Sequence, residues 1–244
     1  MNLCIDQGNT NTKIAIFDQD NIVGLSVHEN PDLQVFKKIF ESHRPVEHVI
    51  LSSVIDCQSD LLSFLQKHSK KFFWLDHHTP LPIVNRYETP ETLGKDRLAA
   101  VVGAASIQKN TDLLVIDIGT AITYDFINAE GVYTGGDITP GIDLRLKSLH
   151  HFTQRLPRVE FDEQVGFMGT NTTTAIQSGV LYGIVSEIDG YINRHMRKYP
   201  KLSVFLTGGG AVYFEKRLKS AIFANENLVL IGLNRILEYN VKNN

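Results

Sequence analysis

Two stretches about half a chain apart share one grammar, and that repeat constrains the fold more than any other feature. In the first, Leu3-Cys4-Ile5 runs into Asp6-Gln7-Gly8-Asn9-Thr10-Asn11-Thr12-Lys13 and on to the alternating Ile14-Ala15-Ile16-Phe17. In the second, Leu113-Leu114-Val115-Ile116 runs into Asp117-Ile118-Gly119-Thr120-Ala121-Ile122-Thr123 and on to Tyr124-Asp125-Phe126-Ile127. Each pattern predicts two β-strands joined by a tight polar turn. A single Gly-Asn hairpin is ordinary, because many such turns bind nothing. A second copy makes it an internal repeat and points to a duplicated fold. Two such turns, one per half, are expected to face each other across a cleft and hold a polyphosphate.

The chemistry of the first turn supports that expectation. Gly8 and Asn9 are expected at positive φ, and the small Thr side chains leave backbone N–H groups uncovered. Successive N–H groups form an anion-binding concavity, to which Lys13 adds a full charge. Asp6, at the strand end, is placed to hold magnesium, directly or through water.

The chain has 244 residues, room for one large domain or two of about 120. With 43% hydrophobic and 21% charged residues, it reads as a globular protein with an ample core. A net charge of −3 implies neither a nucleic-acid nor an anionic-membrane partner. The two cysteines, Cys4 and Cys57, lack metal or redox spacing and read as small hydrophobes in a reducing compartment. No apolar run approaches 18 residues, and Asp6 falls too early for a signal peptide, so the expected location is the cytoplasm.

In chain order, strands are expected near 2–7, 12–18 and 21–28. Asn30 as cap and Pro31 at the first position then open a helix with Leu33, Phe36, Ile39 and Phe40 inward. A strand near 48–54, a helix around Leu61–Leu65 and a strand at Phe72–Leu75 follow. His77-His78 and His150-His151 read as surface loops, since adjacent histidines rarely converge on one ion. Tyr87-Glu88-Thr89-Pro90-Glu91-Thr92-Leu93 leads Gly94-Lys95-Asp96-Arg97 to the start of a small-residue helix. A helix start binds anions, and Arg97 offers a bidentate clamp. From spacing alone Asp96 is either a helix cap or the acceptor of a substrate's hydroxyl proton.

After the second hairpin, Gly135-Gly136-Asp137-Ile138-Thr139-Pro140-Gly141 is expected to be a Gly-rich turn into a helix around 141–151. An irregular stretch, 152–170, precedes a long helix of about 172–197. On it Gly179 and Gly183 mark either close helix approach or generic packing. Strand 202–206 ends in Thr207-Gly208-Gly209-Gly210, where glycines at a strand's carboxyl end suit an adenosine platform. A last helix is expected at 229–240. No Walker A, G-x-G-x-x-G or H-R-D pattern occurs, so any phosphate chemistry must come from the hairpins.

Together these motifs resemble the actin/hexokinase/Hsp70-like ATPase superfamily, and within it type III pantothenate kinase, over essentially the whole chain. The residues that carry the resemblance are Asp6-x-Gly8-Asn9-Thr10-x-x-Lys13, Tyr87-x-x-Pro90-x-x-Leu93-Gly94-x-Asp96-Arg97 and Asp117-x-Gly119-Thr120-Ala121-x-Thr123. Gly135-Gly136-x-Ile138-x-Pro140-Gly141 and Thr207-Gly208-Gly209 add to them.

The resemblance implies an α/β fold of duplicated actin-like (ribonuclease H-like) domains, 1–112 and 113–244. Each would be a mixed sheet flanked by helices, with a cleft between them. It implies ATP on Asp6, Gln7, Gly8, Asn9, Thr10, Asn11, Thr12, Lys13 and Thr120, with adenosine at Gly208 and Gly209. It further implies a monovalent cation, potassium or ammonium, on Asp117, beside magnesium at Asp6. Asp96 would be the general base for phosphorylating pantothenate to 4′-phosphopantothenate, the first step of coenzyme A synthesis. Tyr87, Gly94, Lys95, Asp96 and Arg97 would contact pantothenate. A homodimer would place that pocket at the subunit interface, closed by Thr172. This chain has Thr170 where the family's turn is associated with Lys. Two further readings stay open, another small-molecule kinase of the superfamily and a non-catalytic regulator.

Overall fold

The first hairpin forms as its sequence dictates. β1 (Asn2–Gln7) and β2 (Thr12–Asp18) pair antiparallel with Asp6 opposite Lys13 and Gln7 opposite Thr12. They belong to a computed structural model that describes residues 1–43 and 45–243. The chain divides into two compact units, Met1–Asn110 with Glu130–Thr134 and Asn227–Asn244, and Thr111–Ala129 with Gly135–Glu226.

In the first unit β3 (Asn21–His28), β4 (His48–Ser53) and β5 (Lys71–Trp74) complete a mixed sheet of order β3-β2-β1-β4-β5. β1 runs parallel to β4 and antiparallel to β2. Its Leu3-Cys4-Ile5 run is buried throughout, so both sheet faces need helices over them. Leu3, Ile5, Ile14 and Ile16 pack with Phe36 of α1 (Leu33–Ser42) and with Leu61 and Leu65 of α2 (Ser59–His68). α3 (Lys95–Ile107) and a carboxyl-terminal helix, Leu228–Asn243, also contact strands of this sheet. Those two helices touch backbone to backbone. A methyl group on Gly103 would overlap the Leu228 carbonyl, and one on Gly232 would overlap Ala99. The small-residue run after Arg97 therefore serves close helix packing. A short strand β6 (Val84–Asn85) pairs with Val132 and Tyr133.

The second unit repeats the plan. β7 (Leu113–Ile118) and β8 (Ala121–Ile127) form the hairpin, with Asp117 opposite Thr123. β9 (Val132–Pro140), β10 (Ser203–Thr207) and β11 (Phe223–Ala224) give the order β11-β10-β7-β8-β9-β6. As β1 has β4, β7 has a parallel neighbour, β10. Ile176, Leu181, Ile184 and Ile188 of α5 (Thr172–Lys198) bury against Leu114, Ile116 and Ile118, beside Ile142 and Leu146 of α4 (Ile142–His151). α6 (Ala211–Phe214) follows β10, and the helix at Leu228–Asn243 is α7. No helix of the described residues is long and apolar enough to cross a membrane.

The two mixed sheets with flanking helices are the expected fold class. The units interleave where sequence reasoning draws one cut after residue 112, because β9 begins beside β6 and α7 packs on α3.

Three local expectations need correction. α1 is capped by Asp32, not Asn30, because its carboxylate accepts from the N–H groups of Gln34 (3.0 Å) and Val35 (3.2 Å), while Asn30 turns away at φ 46°. Residues 135–140 continue strand β9 instead of turning. Gly135 takes φ 125°, and a side chain on Gly136 would overlap the Tyr124 backbone, so the glycines serve a close strand approach. His150 and His151 are not in a loop but end α4, where the His150 ring meets the Leu156 carbonyl at 2.8 Å.

Candidate active site

Asp6 and Gln7 are carried to the carboxyl end of β1 by the same alternation that buries Leu3 and Ile5. The turn that follows closes on a 3.0 Å bond from the Gly8 N–H to the Asn11 carbonyl. Neither Gly8 nor Asn9 is among the described residues of positive φ, contrary to expectation, because a four-residue turn closed in this way holds without one. Asn9, Thr10 and Asn11 are exposed, Lys13 is half-buried, and the Thr12 side chain is buried beneath the hairpin.

Asp6 lies in an unusual environment. Burial first, and the negative charge of Asp96 second, push its carboxyl up to about 6, against the opposing pull of Lys13 and Ser52. Ser52 is its register partner on β4 and is fully buried, yet its hydroxyl has no partner in hydrogen-bonding geometry. It still leans on the Asp6 carboxylate and favours its charged form, in a contact short of full hydrogen-bond geometry. Its neighbour Ser53 is tied in, its one hydroxyl proton shared between the Ile55 carbonyl at 2.6 Å and Gln7 Oε1 at 2.9 Å.

Asp96 occupies the first turn of α3, whose cap is Gly94. Its Oδ1 accepts from the Arg97 N–H at 2.8 Å. A Cβ on Gly94 would come within 2.6 Å of that oxygen, so the glycine leaves the carboxylate its place. The Arg97 guanidinium is buried, 5.7 Å from the centre of the Tyr87 ring, which itself stacks on Tyr133. The Lys95 ammonium donates to the Ser53 carbonyl at 3.3 Å. Asp6, Lys13 and Asp96 are thus electrostatic neighbours, and Lys95 ties the helix start to the end of β4.

The second turn is braced differently. Asp117 lies one residue before the end of β7, half-buried and opposite Thr207 of β10. The Gly141 N–H holds the Thr120 carbonyl at 3.0 Å, and the Gly210 N–H holds that of Ile118 at 2.9 Å. Gly208 takes φ 89°, and a side chain there would overlap both the Asp117 carboxylate and the Ile118 backbone. Gly209 has open space beside it, and Thr120 is exposed. Asp117, Thr120, Gly208 and Gly209 are therefore one cluster.

Thr172 opens α5 behind its Asn171 capping box and lines a cavity of about 620 Å³ with Arg145, Gly179 and the apolar Leu149, Leu156 and Ile176. Sequence reasoning missed Arg145 and what holds it. Its guanidinium pairs with Glu187 at 2.7 Å and donates to the Pro140 carbonyl, while Tyr124 and Thr139 donate to the other Glu187 oxygen. Burial alone would raise the Glu187 carboxyl, but these donors outweigh it and hold it below the ordinary value. No local spacing announces a set drawn from β8, β9, α4 and α5.

Comparison with known proteins gives the family of the chain. Residues 2–194 match the family model of type III pantothenate kinase. A type III pantothenate kinase of Bacteroides fragilis is 50% identical over 98% of both chains. The chain belongs to the type III pantothenate kinase family. Another member, from Phocaeicola vulgatus, is 46% identical over 99% of this chain and 100% of its own. Among solved structures, a conserved Campylobacter jejuni protein assigned to the Baf family of transcriptional activators has a TM-score of 0.64 at 23% identity, covering 98% of this chain and 99% of its own. The ROK hexokinase of Thermus thermophilus, at 0.55 and 12% over 98% and 99%, shares the fold. As a type III pantothenate kinase, the chain uses ATP to phosphorylate pantothenate in coenzyme A biosynthesis.

Proposed function

We propose that Asp96 is the general base of this reaction, orienting the primary hydroxyl of pantothenate and taking its proton during in-line transfer of the γ-phosphoryl group. The observation that supports it is the electrostatic coupling of Asp96 to Asp6. Two carboxylates share one neighbourhood, at a helix start whose Gly94 leaves the Asp96 oxygen its space. Tyr87, Gly94, Lys95 and Arg97 contact pantothenate. The turn amides of Asp6–Lys13, the Lys13 charge and Thr120 hold the ATP phosphates, and adenosine lies at Gly208 and Gly209.

Magnesium at Asp6, directly or through water, and potassium or ammonium at Asp117 complete the reading. The residues fit such ions. A cation beside Asp6 would offset the burial and the repulsion that together raise its carboxyl, and magnesium with a nucleotide needs only one or two carboxylates. Asp117 is half-buried beside a glycine that leaves room. Bound there, the ions supply positive charge against the phosphates. Lys13 and the amides position the phosphoryl group, and Asp96 holds the proton.

The working form is a cytoplasmic homodimer in which Thr172 closes the partner's pantothenate pocket. An open face on α5 supports it. Nothing lies within 4 Å of a side chain built on Gly179 or Gly183, and Phe167 and Met168 beside that helix are 75% and 78% exposed.

ADP release from ATP and pantothenate, with and without potassium, tests the scheme beside Asp96→Asn. The variant is expected to lose about 10²–10⁴ in kcat with ATP affinity little changed. Near-full turnover in the variant would remove Asp96 as base, and turnover indifferent to potassium would remove the Asp117 cation.

A further inference from the structure

Thr120 is exposed, so its place is set by what its backbone rests on. Its carbonyl accepts from the Gly141 N–H at 3.0 Å. That contact leaves no slack. A Cβ on Gly141 would come within 2.3 Å of the Gly119 carbonyl oxygen and 2.6 Å of the Thr120 one. Where Gly141 goes, the second turn goes with it. Gly141 caps α4 with no side-chain bond, and Pro140 before it has no N–H to give.

The residue that holds this corner is Arg145, four positions on. Its Nε donates back to the Pro140 carbonyl at 2.7 Å, and its Nη2 donates to Glu187 Oε2 at 2.7 Å. Nε and Nη2 share one edge of a rigid plane, so fixing the second bond aims the first. Glu187 is fixed in turn, its other oxygen accepting from Tyr124 at 2.8 Å and Thr139 at 2.7 Å. Tyr124 is buried and stacks on Tyr191 with ring centres 3.9 Å apart. Thr120, Pro140, Gly141, Arg145 and Glu187 all belong to the second unit. The side chains of the ion pair are mostly out of water. Such a pair adds little net stability over apolar side chains, because lost hydration offsets the attraction. What it does supply is direction.

We propose that Arg145, aimed by Glu187, is a positioning residue for ATP. It fixes Pro140 and Gly141, and through them it holds Thr120 in place for the phosphates. The inference rests on the reading that Thr120 contacts those phosphates. Neither Arg145 nor Glu187 needs to touch the nucleotide.

The test is calorimetric titration of the full chain with magnesium and a non-hydrolysable ATP analogue, beside thermal melts. Arg145→Met is expected to weaken binding by about 2–30-fold, with KM for ATP rising alongside and kcat changing less. The double variant Arg145→Met/Glu187→Gln removes the pair without stranding a charge, and should bind as weakly while melting nearer to wild type. Tyr124→Phe takes one donor from Glu187 but leaves both Arg145 bonds, so it should melt lower yet bind the analogue as wild type does. Wild-type affinity in Arg145→Met, recovered affinity in the double variant, or an equal loss in Tyr124→Phe would make the pair a packing element and overturn the proposal. Thr120→Val separates the two readings. Weak binding there beside normal binding in Arg145→Met keeps the phosphate contact and removes the positioning role. Normal binding in Thr120→Val removes the phosphate contact, and the positioning role with it.

Discussion

The two hairpins share a grammar but are supported in opposite ways. At the first, Asp6 has a like charge for a neighbour, a raised carboxyl and the unbonded hydroxyl of Ser52 beside it. At the second, Asp117–Thr120 is clamped by amides of Gly141 and Gly210 and by a Gly208 with no room for a side chain. Duplication supplied one backbone solution twice. One copy keeps electrostatic strain that ligands can relieve, and the other is a tightly packed cradle.

The largest effect expected from this contrast is at the cradle. Gly208→Ala must accommodate both a positive φ and an overlap with Asp117, at a cost of about 2–4 kcal/mol, or a melting temperature lower by about 4–16 °C. Gly119→Ala, whose nearest neighbour would be at 3.6 Å, should shift it far less. Equal shifts in thermal melts would erase the distinction.

Next is Asp6→Asn, which should abolish most turnover yet stabilise the free protein. A carboxyl at about 6 when folded, against about 3.9 when unfolded, makes the folded chain bind more protons between those values. Its contribution is therefore full below pH 3.9 and is lost as pH rises to about 6. At pH 7.5 the variant should gain about 2 kcal/mol, or about 4–8 °C. Glu187 has the reverse slope. Held below its ordinary value, it stabilises above the unfolded pKa of about 4.3 and loses that contribution as pH falls through its folded pKa. Melts from pH 3 to 8 of Asp6→Asn and Glu187→Gln should diverge from wild type in opposite directions. A destabilised Asp6→Asn at pH 7.5 would remove the strain from the first hairpin.

The smallest effect is expected for Ser52→Ala. Deleting a buried hydroxyl that has no bond costs little, so the melt should move by less than about 1 kcal/mol. A loss above 2 kcal/mol would mean that Ser52 is bonded after all and that the two hairpins are equally satisfied.

What was legible in the sequence is what turn chemistry writes locally. Asp6, Lys13, Asp117 and the Gly94–Arg97 helix start each sit where spacing put them, because strand alternation and helix starts are set within a few residues. Gly135 and Gly136 misled because glycines that let strands approach look, in sequence, like glycines that turn. Asn30 misled because the carboxylate of Asp32, two residues on, is what accepts from the first amides of the helix. Ser52 and the Arg145–Glu187 set were invisible. They arise from pairings across neighbouring strands and helices, which no short window contains.

The return of α7 to the first unit has a consequence for synthesis. α3, with Asp96 in its first turn, packs against a helix that is made only after the whole of the second unit. At ordinary translation speeds the emerging first unit waits roughly 10 s for that partner. Until then the face of α3 around Gly103 is bare, an apolar surface suited to holding by a chaperone. The second unit is free to fold in the interval, so this kinase should be born from the middle outwards, with Asp96 set in place last.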